Sequence, residues 1–265
     1  MSENQIPKRI FYVWGVGEKK RRDVNTCLLS WKLTMPDYEI IEINEESKEY
    51  FDFQKELKEN EYFRIVYERK MYACATDYIR LKVLHDNGGI YLDTDVFAIK
   101  NFDEFLDLPA FTGIQGNTQD TDFDWVEPAI LGAQKGNLFL KEVLDFYHNE
   151  ILKTPLSMLP EIFMIYLKKL YGVEKFPTKN KQEIINLKDI ALFPERYFIP
   201  YRFNQEFSFD CIEADTYAVH LWGGSWNNSY TRFFQRNKHQ YPIWFLDLII
   251  KIKKIIRRKK WLRRL

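Results

Sequence analysis

The stretch DYIRLKVLHDNGGIYLDTDV, residues 77–96, joins a helical segment to a short apolar strand that ends in two aspartates. Asp93 and Asp95 follow the apolar run at 90–92, and residues i and i+2 of a strand point to the same face. Two carboxylates held that close repel each other, and a hard divalent cation such as Mg²⁺ or Mn²⁺ relieves the repulsion. The stretch therefore predicts a cation site where the strand leaves its sheet.

The segment in front of this strand brings further polar side chains to the same place. Residues 64–87 read as one long helix, which the Asn-Gly-Gly sequence at 87–89 ends. From Asp77 to Asp86 the helix rises about 14 Å, and the returning strand at 90–94 covers about 13 Å. Asp77 and Arg80, three residues apart on one helix face, should therefore lie level with the aspartate pair.

Length and cysteine content bound the class of protein. A chain of 265 residues can form one large α/β domain or two small ones. Cys27, Cys74 and Cys211 are odd in number and widely spaced, which predicts reduced thiols without a disulfide frame or zinc cluster. The first residues lack the apolar core of a secretory signal, and no run is long enough to span a bilayer. We therefore expect a cytoplasmic protein.

Charge is unevenly distributed along the chain. Residues 242–265 contain nine Lys or Arg and one Asp, a net charge of +8, so residues 1–241 carry +1 − 8 = −7. A mildly acidic globule is not typical of nucleic-acid binders, and we expect no nucleic-acid partner. We assign residues 1–241 to one globular domain and residues 242–265 to a basic tail.

The tail has the pattern of an amphipathic helix. Lys251, Lys254 and Arg258 lie opposite an apolar face, a combination typical of a helix in the interface of an anionic membrane. A terminal helix packed on the domain and a nucleic-acid patch are the alternatives. The apolar face consists of Phe245, Leu248, Ile249, Ile252, Ile255, Ile256 and Leu262.

Strand and helix patterns alternate along the rest of the chain. This alternation predicts one α/β domain around a mainly parallel sheet, where ligands collect at the carboxyl ends of the strands. Trp14 and the aspartate pair both follow such ends. The predicted strands are 10–14, 38–43, 90–94, 110–114, 129–133, 190–193 and 217–221, and the predicted helical stretches are 20–33, 45–67, 64–87, 137–151 and 156–171.

Three motifs in fixed order carry a family resemblance. They are IPKRIFYVWG at 6–15, ATDYIRLKVLHDNGGIYLDTDV at 75–96 and HLWGGSW at 220–226. Together they resemble glycosyltransferase family 32, the group with a sugar-binding DXD region that includes capsule and lipopolysaccharide transferases. More distantly, they are similar to the catalytic domain of the large glucosylating bacterial toxins. One such motif alone would be weak evidence, whereas three in order are specific.

The resemblance implies a GT-A fold, which is a single Rossmann-like domain, and a nucleotide-sugar donor with a divalent metal, Mn²⁺ or Mg²⁺. By position, Trp14 would stack on the nucleotide base with Val13 beside it. Asp77 and Arg80 would bind hydroxyls of the donor sugar, and we include Tyr91 among the donor-binding residues.

The remaining roles that the resemblance implies concern the metal and the diphosphate. Asp93 would contact the ribose or the sugar and reach the metal, and Asp95 would bind the metal directly. His220 could assist with the metal or the phosphates, while Ser225 and Trp226 would close over the diphosphate. One place departs from the family pattern, because Glu127-Pro128 stand where relatives often show an Asn.

The function expected from this resemblance is a retaining hexosyltransferase in cell-surface polysaccharide synthesis. UDP-galactose and UDP-glucose are the favoured donors, and the acceptor is a saccharide, in our interpretation lipid-linked at the inner face of the plasma membrane. We prefer front-face attack, in which the leaving phosphate accepts the acceptor's proton. Asp77 as a covalent nucleophile is the alternative mechanism. Asp77, Arg80, Asp93 and Asp95 are the candidate catalytic residues.

Two other readings of the aspartate pair stay open at this point. A phosphohydrolase of the haloacid-dehalogenase type also carries a strand followed by DxDx[TV], with Asp93 as nucleophile and Asp95 as general acid. The Gly-Gly before the strand and the lack of a clear later Lys and paired-Asp motif oppose it. A non-catalytic sugar-binding or membrane-adaptor protein is the second alternative.

Overall fold

Helices and strands alternate through the part of the chain that the computed structural model describes, which is residues 5–15, 18–115, 125–154, 158–177, 181–202 and 205–223. The strands are β1 (Arg9–Val13), β2 (Glu39–Ile43), β3 (Gly89–Leu92), β4 (Val96–Ala98), β5 (Ala110–Ile114), β6 (Val126–Ala133), β7 (Ile185–Asn186), β8 (Ala191–Phe193) and β9 (Ala218–His220). The helices are α1 (Arg22–Thr34), α2 (Phe53–Glu59), α3 (Glu61–Glu68), α4 (Tyr72–Asn87), α5 (Leu138–Asn149), α6 (Leu159–Tyr171) and α7 (Glu195–Phe198).

The central sheet has seven strands in the order β2-β1-β3-β6-β5-β8-β7. Strand β1 is parallel to β2 and β3, and β5 is parallel to β8, whereas β6 is antiparallel to both its neighbours and β7 is antiparallel to β8. Five strands therefore run in one direction and two in the other. The prediction of an α/β domain with a mainly parallel sheet is confirmed, and the architecture agrees with the expected GT-A fold.

Side chains of β1 point alternately to the two faces of the sheet. Phe11 packs into a core formed with α3, α4, α5 and α6, while Ile10 and Tyr12 pack into a second core that contains Trp31 of α1. This two-residue alternation is the expected behaviour of a strand covered on both faces. Both faces of the sheet are therefore buried. Polar side chains can gather instead at the edge where the parallel strands have their carboxyl ends.

The single long helix predicted for residues 64–87 is wrong. The structure has two helices, α3 and α4, with a break at residues 69–71 where Lys70 adopts φ of 54°. The predicted end of the helix is confirmed: the Gly88 N–H donates to the Leu84 carbonyl over 2.8 Å, and Gly88 has φ of 67°. A Cβ at Gly88 would lie 2.9 Å from the Lys135 nitrogen, so only glycine fits this close turn.

The strand predicted for residues 90–94 is shorter than expected. Strand β3 ends at Leu92, and the Val96 N–H donates to the Asp93 carbonyl over 3.0 Å, which closes a turn around the two aspartates. After this turn β4 pairs with β9 in a separate two-stranded sheet. Strand alternation therefore does not place the two carboxylates, and the turn places them instead.

The predicted tail at 242–265 and the residues Ser225 and Trp226 lie outside the described part of the chain. Among the helices that the structure describes, none has both the length and the apolar character that crossing a bilayer requires.

Gly132 of β6 tests how closely the central strands pack. A Cβ at this position would lie 2.1 Å from Cε1 of Phe111, which is fully buried. Because the ring has no free space to enter, we expect Gly132→Ala to lower the free energy of unfolding by about 1–3 kcal/mol in urea denaturation. Phe111→Leu removes the clashing ring atoms, so the same Ala substitution should cost less in that background. A double variant whose loss equals the sum of the single losses would contradict this packing.

Candidate metal and donor site

The turn after β3 and the end of β9 meet at one edge of the sheet. Val96 pairs with His220 across the β4–β9 ladder, and the Leu221 N–H donates to the Asp95 carbonyl over 2.8 Å. These backbone contacts bring His220 beside Asp95, with Nε2 of the ring 3.4 Å from Oδ1 of the carboxylate. The sequence placed these two residues far apart in the chain, and the small sheet joins them.

Asp93, Asp95 and His220 form a compact group of possible metal ligands. One ligand atom from each lies within 4.8 Å of the others. All three residues are nearly buried, with exposures of 5%, 9% and 6%. Nδ1 of His220 makes no hydrogen bond with any residue that the structure describes. Two carboxylates and an imidazole are compatible ligands for the expected Mn²⁺ or Mg²⁺, so the donor set fits such a cation.

Asp95 also anchors the chain that follows β9. The Gly223 N–H donates to its Oδ2 over 2.7 Å. A Cβ at Gly223 would lie 3.2 Å from Cβ of Asp95, so the backbone passes close to the carboxylate. The HLWGGSW motif therefore starts directly at the aspartate pair.

Arg80 of α4 connects the other polar groups of the site. Its Nη2 lies 3.2 Å from Oδ1 of Asp93 and 3.3 Å from Oδ1 of Asp77, and its Nη1 donates to the Pro128 carbonyl over 2.6 Å. The guanidinium stands over the ring of Tyr91, 4.7 Å from its centroid. Arg80 and Asp77 therefore lie level with the aspartate pair, as the helix and strand lengths predict.

Tyr91 packs beneath the Arg80 guanidinium and contacts Asp93. Its hydroxyl donates to Oδ1 of Asp93 over 3.2 Å, and the residue is 2% exposed. A side chain buried this deeply would influence a ligand only by positioning Asp93 and Arg80. The expected role of Tyr91 in donor binding stays a prediction, and this geometry would make that role indirect.

The site is rich in negative charge for its degree of burial. Burial raises the pKa of Asp93 to about 6, and the neighbouring charges of Asp95 and Asp77 add to this rise, against the opposing effect of Arg80. Burial lowers the pKa of His220, but the carboxylates of Asp95, Glu127 and Asp93 together outweigh it and the pKa is raised overall. Asp93 and His220 therefore hold their protons more strongly than the free side chains do, and a bound cation would compete with those protons.

Comparison with known proteins gives this geometry a family context. Residues 21–112 match the family described as the glycosyltransferase sugar-binding region containing DXD motif. The match covers 92 of the 265 residues and includes the Asp-Thr-Asp sequence at 93–95. Asp77, Arg80, Asp93 and Asp95 lie inside this region, and the predicted resemblance to DXD glycosyltransferases is confirmed.

Two relatives in sequence share part of this region. An uncharacterized glycosyltransferase of Acanthamoeba polyphaga mimivirus is 40% identical over 60 residues, which are 23% of this chain and 24% of that protein. Glucan organizing enzyme 1 of Cryptococcus neoformans var. grubii is 32% identical over 83 residues, 29% of this chain and 22% of that protein. The chain therefore spans about a quarter of the length of these two relatives.

Distant likenesses extend to solved structures. The PaToxG glycosyltransferase has a TM-score of 0.47 and 23% identity over 64% of this chain and 71% of that chain. A glycosyltransferase involved in the glycosylation of the major capsid of PBCV-1 has a TM-score of 0.40 and 12% identity over 88% of this chain and 99% of that chain.

Val13 and Trp14 lie at the same sheet edge as the DXD region. Phe11 pairs with Tyr91 in the parallel β1–β3 ladder, so two and three residues further on Val13 and Trp14 reach the level of the DXD turn. The Trp14 indole N–H donates to the Glu18 carbonyl over 2.9 Å, which fixes the ring at this edge. The structure thus gathers the predicted residues Val13, Trp14, Asp77, Arg80, Tyr91, Asp93, Asp95 and His220 at one edge.

The sequence analysis noted Glu127-Pro128 only as a departure from the family pattern and did not place them beside the aspartates. The Pro128 carbonyl accepts the shortest hydrogen bond of Arg80, and Glu127 interacts electrostatically with His220, Asp93, Arg80 and Asp95. The available signal was the apolar run AILGA, which can pair antiparallel with IYL and continue the ladder toward Asp95. Without the register, that pairing does not follow from the sequence.

Removing the guanidinium of Arg80 should destabilise the fold. Breaking a buried ion pair from one side leaves uncompensated charge, so Arg80→Met should lower the free energy of unfolding by about 3–5 kcal/mol in a chelator. Arg9→Met is the control, because Arg9 meets Glu39 over 3.5 Å at the exposed surface. That variant should lose less than about 1 kcal/mol in the same denaturation experiment. Equal losses in the two variants would contradict the central place of Arg80.

Proposed function

We propose that this protein is a retaining, metal-dependent glycosyltransferase that moves a hexose from a nucleoside-diphosphate sugar to a saccharide acceptor. The observation that carries the proposal is the convergence of Asp93, Asp95 and His220 within 4.8 Å, beside the Asp77–Arg80 pair. The match of residues 21–112 to the DXD sugar-binding region supports the same chemistry. UDP-galactose and UDP-glucose are the donors to test first.

The charge of the site supports metal dependence. Asp77, Asp93, Asp95 and Glu127 are carboxylates, and Arg80 is the permanently charged cation that the structure describes among them. A diphosphate cannot approach such a group without a compensating positive charge. A divalent cation held by Asp93, Asp95 and His220 would supply that charge and act as a Lewis acid on the departing diphosphate.

The donor sugar would bind on the side of Asp77. The Asp77 side chain is 17% exposed against 7% for Asp93, so it is the more accessible of the two carboxylates on Arg80. Carboxylates accept hydrogen bonds from vicinal hydroxyls, and Arg80 holds this one in a fixed orientation. Trp14 at the same edge offers an aromatic face for the nucleotide base.

The proposed reaction is a front-face displacement. The bond between the anomeric carbon and the diphosphate oxygen breaks with its electron pair going to the phosphate, and the acceptor oxygen forms the new bond on the same side. The proton of the acceptor hydroxyl passes to the leaving phosphate. Asp77 as a covalent nucleophile is the weaker alternative, because its carboxylate lies against the Arg80 guanidinium.

The phosphohydrolase alternative receives less support. It requires Asp93 as an attacking nucleophile, yet Oδ1 of Asp93 faces Nη2 of Arg80 and accepts the Tyr91 hydroxyl. These charge-assisted hydrogen bonds stabilise the carboxylate and so make it a weaker nucleophile. The carboxylate is also buried. The acidic residues of the site are all in place, which also disfavours a decayed, non-catalytic protein.

A donor screen with and without Mn²⁺ tests the proposed activity. We expect release of nucleoside diphosphate from one activated hexose in Mn²⁺ and none in a chelator, with the product retaining the anomeric configuration by NMR. Asp95→Asn should lower turnover by at least about 100-fold, because several kcal/mol of transition-state stabilisation depend on the cation. Asp145→Asn, which alters an exposed carboxylate of α5 paired with Lys141, should leave turnover unchanged. Full turnover of Asp95→Asn in a chelator would refute the proposal.

We further propose that residues 242–265 hold the enzyme at the inner face of the plasma membrane, near a lipid-linked acceptor. The support is the net charge of +8 and the apolar face of this segment in the sequence. Each basic residue near an anionic surface contributes about 1 kcal/mol to binding. A place in cell-surface polysaccharide synthesis follows from such a location.

Truncation after Pro242 tests the membrane proposal separately from catalysis. The full chain should sediment with vesicles of anionic lipid and stay in solution with neutral vesicles. The truncated protein should remain in the supernatant with both, while hydrolysis of the free donor continues. Sedimentation of the truncated protein with anionic vesicles would contradict the proposal.

A further inference from the structure

Glu127 lies across the sheet from the DXD turn. In the antiparallel β3–β6 ladder Leu92 pairs with Ile130, and one step further the Asp93 N–H donates to the Ala129 carbonyl over 2.8 Å. Glu127 lies two residues before Ala129 on β6. The backbone thus brings Glu127 next to the turn that carries Asp93 and Asp95.

The position of Glu127 is fixed from both sides. The next residue, Pro128, accepts the 2.6 Å hydrogen bond of Arg80, so α4 holds this part of β6. On the other side Glu127 pairs with Gly113 of β5, directly after a register shift between Thr112 and Gly113. A bulge interrupts the regular alternation of side chains and is frequent beside active sites. The backbone that carries Glu127 is therefore held by β5 and α4 and is not part of a loop.

The Glu127 side chain is half-buried and lies among charged groups. No hydrogen bond or ion pair within 4.0 Å joins its carboxylate to another residue that the structure describes. Its burial raises its pKa, and it interacts with the charges of His220, Asp93, Arg80 and Asp95. The compact group within 4.8 Å comprises Asp93, Asp95 and His220, and Glu127 is not a member of it. An additional negative charge at this place costs stability unless a cation offsets it.

We propose that Glu127 is an outer carboxylate of the cation site, which accepts a hydrogen bond from a water bound to a divalent cation at Asp93, Asp95 and His220. The proposal rests on the metal site of the proposed function and adds a residue to it. Mg²⁺ keeps several of its waters when bound to protein, and these waters need acceptors. Mutation of partners in this outer layer typically weakens metal affinity 10- to 100-fold.

Titration with Mn²⁺ alone, followed by the electron paramagnetic resonance of free Mn²⁺, tests this role without any sugar donor. We expect Glu127→Gln to weaken Mn²⁺ binding by about tenfold or more, and Glu127→Asp to weaken it less. Glu39→Gln is the matched control, because Glu39 begins β2 at the opposite edge of the sheet and is exposed. That variant should bind Mn²⁺ within twofold of the unmodified protein.

Asp95→Asn separates failure of this inference from failure of the proposed function. If Asp95→Asn abolishes Mn²⁺ binding while Glu127→Gln binds within twofold of the unmodified protein, the role of Glu127 is refuted and the metal site stands. If Asp95→Asn binds Mn²⁺ as the unmodified protein does, the metal site and the proposed function are both refuted.

Thermal unfolding shows that a loss of affinity is not a loss of structure. In a chelator Glu127→Gln should melt at or above the temperature of the unmodified protein, because the substitution removes an unpaired, partly desolvated charge. Addition of Mn²⁺ should raise the melting temperature of this variant by less than it raises that of the unmodified protein. A lower melting temperature in the chelator would show that the carboxylate stabilises the ion-free fold and would overturn the proposal.

Discussion

The buried guanidinium of Arg80 is the contact on which the arrangement of the site depends. It meets Asp77 on its own helix, Asp93 after β3 and the Pro128 carbonyl on β6, and so ties three separate elements to one planar group. A lysine could not make these contacts at once, because its ammonium lacks the fork geometry of five fixed donors. The spacing between the helix and the sheet edge is therefore set by one side chain.

In the described ranges, carboxylates outnumber the permanent positive charges around Arg80, which explains why this edge of the sheet suits a positively charged ligand. In a fully packed interior, like charges this close would be removed by mutation or by protonation. Here the raised pKa values of Asp93 and Glu127 mark an environment that is incomplete without a positive partner. Perturbed groups that gather at the carboxyl edge of an α/β sheet are the usual sign of a functional site.

The local geometry of the site could be predicted from the sequence, whereas the pairing register between distant strands could not. The rise of the helix against the length of the strand predicted that Arg80 would reach the aspartates, and the 3.2 Å contact with Asp93 confirms it. The break at Lys70 was missed because no Gly or Pro marks it, so packing rather than local propensity ends α3 there. Glu127 was noted as a departure from the family pattern but was not placed beside the aspartates. Its place depends on how β6 pairs with β3, and that pairing links segments far apart in the chain.

The two hydrogen bonds between Asp95 and residues 221–223 have a thermodynamic consequence. The Asp95 carbonyl accepts a hydrogen bond from the Leu221 N–H, and its Oδ2 accepts one from the Gly223 N–H. Asp95 is therefore both a candidate metal ligand and an anchor for the backbone that follows β9. A cation that binds this carboxylate changes the strength of its hydrogen bond with Gly223. By thermodynamic reciprocity, a change in the position of residues 221–223 changes the affinity of the site for the cation. The occupancy of the site and the anchoring of residues 221–223 are thus thermodynamically coupled.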